Sequence, residues 1–154
     1  MNSTYLAYRK TAVEGASGFG LLIALYDTLA GNLRRAAAAQ RRNDLEDRCH
    51  EVKHALLVIG YMENCLTRSK GGELTRQLSV FYARLRRKLI EAQANQTAET
   101  FEQEMAVVLR IREHWQRVEL RNEAAESQAM RTATTRPDGH AIKQTEGRSG
   151  SWSV

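Results

Sequence analysis

The chain has 154 residues, 42% of them hydrophobic and 27% charged, with a formal net charge of +5. That apolar content excludes a disordered protein, and the length suggests one main domain. No apolar run approaches the roughly 18 residues of a membrane span and the first residues lack a signal-peptide pattern, so a cytoplasmic protein with no membrane insertion is expected.

Residues 1–16 show no periodicity and read as an irregular arm. Its large apolar groups are Tyr5, Leu6, Tyr8 and Val13. Tyrosine has an apolar body and a polar tip, so such an arm is expected to lie on another surface.

Helical periodicity begins at Ser17, a good N-cap residue. Phe19, Leu22, Ile23, Tyr26, Leu29, Leu33 and Ala36 then recur at helical spacing, predicting a helix over about 17–41. A second helix is predicted over about 44–68, capped by Asn43 or Asp44. Its row is Leu45, Cys49, Val52, Leu56, Ile59 and Leu66. Leu57, Val58, Tyr61 and Met62 are apolar groups off that row. A helix apolar on more than one face is either central or offers a binding surface. These four are therefore candidate binding residues. Gly60 would allow another backbone to approach closely. Cys49 and Cys65 lie sixteen residues apart on this helix, about 24 Å, and cannot pair with each other.

The Ser69-Lys70-Gly71 stretch is expected to end the second helix, with the glycine as a left-handed cap. A third helix follows over about 72–94, its stripe formed by Leu74, Leu78, Phe81, Leu85, Leu89 and Ala92. A fourth is predicted over about 97–122, capped by Thr97, with Phe101, Met105, Val108, Leu109, Arg112, Trp115 and Val118 on one face. From Ser127 the composition turns to Ser, Thr, Gly, Gln and scattered charge, predicting a disordered tail over 127–154. The expected fold is all-α: an antiparallel up-down-up-down four-helix bundle over 1–126, with its arm and its tail.

One stretch has the pattern of a metal centre. His50-Glu51-Val52-Lys53-His54 matches H-E-x-x-H, with Glu73 downstream as a possible third ligand. A zinc peptidase also needs a strand-built cleft, and no strand is predicted. The histidines flank Val52 of the core row and read as ordinary edge residues. No phosphate loop or CxxC spacing is present. No cofactor, metal or catalytic residue is expected, and the protein is not expected to be an enzyme. The arginines alternate with glutamates, so they read as solvated faces and not as a nucleic-acid patch.

Several motifs in order resemble the FliS family of flagellar export chaperones. These are Ala7-Tyr8 and Val13-Glu14, then Ala16-Ser17-Gly18, then Leu25-Tyr26-Asp27-Thr28. The most specific is Lys70-Gly71-Gly72-Glu73-Leu74, followed by Leu78-Ser79-Val80-Phe81-Tyr82 and, later, Trp115. Gly18 stands where the family has proline, Thr28 where it has glycine and Gln93 where it has asparagine.

The resemblance implies a cytoplasmic four-helix chaperone that binds the disordered C-terminal segment of flagellin. It would keep flagellin unpolymerised and help deliver it to flagellar export gate components. It also implies that the arm, with Tyr8, covers client-binding surface. The alternative is a helical regulatory or scaffolding bundle that binds another protein or RNA through its basic surface.

Overall fold

The computed structural model describes residues 18–69 and 71–135. The predicted arm with Tyr5, Leu6 and Tyr8, the predicted cap Ser17, and residues 136–154 of the predicted tail lie outside them. Among the described residues there are four helices and no strand. They are α1 (Gly18–Arg41), α2 (Leu45–Thr67), α3 (Glu73–Asn95) and α4 (Ala98–Thr134). None is long and apolar enough to cross a membrane.

The helices share one core. α1 contributes Tyr26, Leu29, Leu33 and Ala36; α2 contributes Val52, Ala55, Ile59 and Met62. α3 adds Tyr82, Leu85, Leu89 and Ala92, and α4 adds Phe101, Val108 and Trp115. These positions recur three or four apart on α1, α2 and α3 and seven apart on α4, which turns one stripe of each inward. Asp44 caps α2 by accepting the backbone N–H of Asp47 at 3.0 Å.

Polar pairs join the helices around this core. Asp27 of α1 meets Arg112 of α4 at 2.9 Å, and Arg41 of α1 meets Glu102 of α4 at 2.8 Å. Glu63 of α2 meets Arg86 of α3 at 2.6 Å. Arg84 of α3 meets the buried Glu104 of α4 at 2.9 Å.

Three expectations need correction. α2 ends at Thr67 with Arg68 as its cap in the right-handed region, so Gly71 is not a helix cap. Gly71 and Gly72 instead take φ of +77° and +113° in the connection, with Gly72 as the N-cap of α3. Gly60 faces a side chain and not a backbone: a Cβ there would meet the Arg86 guanidinium at 3.7 Å. Third, α4 runs to Thr134, past the expected end near 122 and into the stretch expected to be disordered. Ala124, Ala125, Glu126, Gln128, Ala129, Met130 and Arg131 are strong helix formers, and the sole proline is Pro137. Propensity carries this turn of sequence as helix although its side chains are exposed. Backbone packing divides the chain between Arg121 and Asn122.

Candidate functional site

The expected stripe of α3 is only half covered. Leu85, Leu89 and Ala92 are buried. Leu78 and Phe81 are half-buried, and Leu74 is 57% exposed. The uncovered half begins where the Gly71–Gly72 turn releases α3, and it lines a cavity of about 510 Å³. Phe19, Leu22 and Leu25 of α1 line the same space, as do Met62, Cys65 and Leu66 of α2, Leu74, Leu78 and Tyr82 of α3, and Trp115 of α4. A second cavity of about 470 Å³ shares Phe19, Leu74, Leu78 and Trp115, and adds Phe81, Ile111, His114 and Val118. Four shared residues make the two a single apolar trough. Each lobe has the volume of a ligand pocket, about 300–1,000 Å³.

The trough has a rigid floor. Tyr26 and Tyr82 are buried, and their hydroxyls bond to each other at 2.9 Å. Burial pushes the pKa of both hydroxyls up from the ordinary tyrosine value, so both stay neutral. Phe19 leans on Trp115 with ring centroids 6.0 Å apart. The polar lining is slight, with Ser69, Thr75 and Cys65 on one lobe and Gln77 and His114 on the other. The lining is suited to apolar side chains, and among its residues there is no paired acid and base.

The four candidate residues of α2 separate. Met62 is 2% exposed, in the core and on the trough's lining. Val58 is half-buried and packs against the core. Leu57 and Tyr61 are 62% and 51% exposed, one turn apart on the outer face, and line neither lobe. Sequence reasoning missed the contributions of α1 and of early α3. A signal was present in α1: Phe19, Leu21, Leu22, Ile23 and Leu25 are five apolar residues within seven positions, too many for one buried stripe.

The H-E-x-x-H stretch divides in the same way. His50 and His54 lie against each other, tilted, with ring centroids 4.5 Å apart. Glu51 turns inward and is buried, with Oε2 accepting from Asn32 Nδ2 at 2.7 Å and Oε1 from Arg35 Nε at 2.9 Å. Burial works against its charge, yet the bonds from Arg35 and Asn32 outweigh it and hold the carboxyl below the usual glutamate range. A carboxylate committed in this way is not placed to activate a water on the histidine side. Glu73 is engaged by Arg76 and Gln77. Among the described residues no group of three His, Cys, Asp or Glu could hold a metal ion.

Two comparisons bear on the chain. The family described as "Flagellar protein FliS" matches residues 1–122. A curated relative, the "Flagellar secretion chaperone FliS" of Campylobacter jejuni subsp. jejuni serotype O:6 (strain 81116 / NCTC 11828), is 28% identical over 117 residues. That alignment covers 76% of this chain and 91% of the relative.

Proposed function

The chain belongs to the FliS family, and from that premise we propose that it is a flagellar export chaperone acting in the cytoplasm. Its client is the C-terminal segment of flagellin, held unpolymerised and passed to components of the flagellar export gate. It is not an enzyme and uses no cofactor. The helices form an up-down-up-down bundle. The polar pairs support this sense, since Asp27 pairs with Arg112 while Arg41, further along α1, pairs with Glu102, earlier on α4.

The observation that carries the reading is the apolar trough at the start of α1 and α3. An amphipathic client segment presents apolar side chains at i, i+3, i+4 and i+7, and two joined lobes accept such a row. Burying one leucine-sized side chain contributes about 1.5–3 kcal/mol. Several together offset the several kcal/mol that ordering a flexible client costs. Met62 contributes to the trough's lining, and Leu57, Val58 and Tyr61 are further client contacts on α2.

The arm, with Tyr5, Leu6 and Tyr8, is a displaceable cover for this surface. Gly18 and Phe19, the residues that follow the arm in the sequence, line the trough. The basic-surface alternative is disfavoured by the pairing of Arg35, Arg41, Arg84, Arg86 and Arg112 with carboxylates.

Flagellin polymerisation tests the proposal. An equimolar amount of the protein should suppress filament growth from flagellin monomers, and Leu78→Asp should lose that effect while remaining folded. Undiminished filament growth with the native chain would reject the chaperone reading.

A further inference from the structure

We propose that His50 and His54 form a two-imidazole chelate for a divalent transition cation on the outer face of α2, with water completing the coordination shell. The residues lie four apart on a helix, which places their side chains one above the other. The ring centroids are 4.5 Å apart and the planes are tilted by 49°. Metal–imidazole bonds are about 2.0–2.1 Å long, so two coordinating nitrogens on one ion stand roughly 3 Å apart. Sharing one ion requires the two rings to rotate about their side-chain bonds until two nitrogens meet that spacing.

The turn between the rings is already fixed. Glu51 is tied to α1 through Asn32 and Arg35, and Val52 and Ala55 are buried in the core. The cation therefore meets a preorganised pair, which lowers the ordering cost of binding. His50 is exposed and His54 half-buried, so a hydrated ion reaches both. Among the described residues neither imidazole is in a hydrogen bond or ion pair; the rings contact each other, and His50 also interacts electrostatically with Glu51. Imidazole donors select nickel, copper and zinc over magnesium and calcium, which prefer oxygen. The inward turn of Glu51 leaves binding without hydrolysis: the motif keeps its two ligands and loses its base.

The test is calorimetric titration of the full, tag-free chain with nickel chloride, with magnesium chloride as the control. One saturable equivalent of nickel and none of magnesium are expected, together with a rise in Tm at saturating nickel. His50→Ala and His54→Ala should each weaken nickel binding at least tenfold, and His114→Ala should leave it unchanged. Circular dichroism establishes that the variants are folded, and His54→Gln gives a second, milder removal of the ligand. Absence of a saturable equivalent in the native chain would overturn the proposal. So would native-like nickel affinity in the His54→Ala and His54→Gln variants, or a loss that follows His114 instead.

Discussion

The two tyrosines beneath the trough satisfy each other. Tyr26 and Tyr82 are buried, and their 2.9 Å bond lets both hydroxyls sit in the core. Tyr82→Phe leaves the Tyr26 hydroxyl buried without that partner, which costs about 1–3 kcal/mol. Urea denaturation should read that loss. The double variant Tyr26→Phe/Tyr82→Phe should recover most of it, because no tyrosine hydroxyl is then left buried without its partner. The same pair predicts an alkaline limb. Unfolded tyrosines lose protons around pH 10, whereas burial keeps the folded pair protonated beyond that. Stability from the pair is complete below about pH 10 and falls as pH rises above it, where only the unfolded state releases protons. Removing both hydroxyls should flatten that part of the Tm profile; an unchanged slope would mean other groups cause it.

At the scale of elements, the glycine pair before α3 decides where the trough opens. Gly72 has φ +113° and ψ 177°, a region that residues with a Cβ essentially avoid. Gly72→Ala should destabilise the fold by about 1–3 kcal/mol. Gly60→Ala is expected to act in the opposite direction and stabilise by up to about 1 kcal/mol, since helix propensity improves. Its new Cβ makes only an ordinary contact with Arg86. Chemical denaturation of the two variants checks both signs. The buried halves of the four helices were legible because Leu29, Val52, Leu85 and Val108 each sit in a row of apolar residues at helical spacing. The trough was less legible. Leu74 and Leu78 continue the row of Leu85 and Leu89, and periodicity cannot say that no helix covers them. Leu57 and Met62 looked alike as off-row apolar groups, yet one is exposed and one is core, a difference fixed by neighbouring helices. The end of α4 was misplaced because its last turns rest on propensity with no buried stripe to mark them. Truncation after Glu126 should therefore leave Tm within a few degrees, since residues 127–135 are exposed. A large fall would show that this segment packs against something.

At the scale of the whole molecule, charge and apolar surface are arranged differently. Many arginines are spent on carboxylates of neighbouring helices. One concave set of apolar groups gathers where α1 and α3 begin, while others such as Leu57 and Tyr61 stand singly on outer faces. Binding through this surface should follow apolar area and resist salt, while a basic phosphate-binding face would lose affinity steeply through counterion release. The most direct measurement is calorimetric titration of the native chain, and of Leu78→Asp, with a C-terminal flagellin peptide from the same organism at low and high salt. Saturable binding that persists at high salt, a strongly negative heat-capacity change, and an affinity reduced well over tenfold in the variant are expected. No binding by the peptide, or binding that vanishes at high salt and ignores Leu78→Asp, would contradict the proposed function.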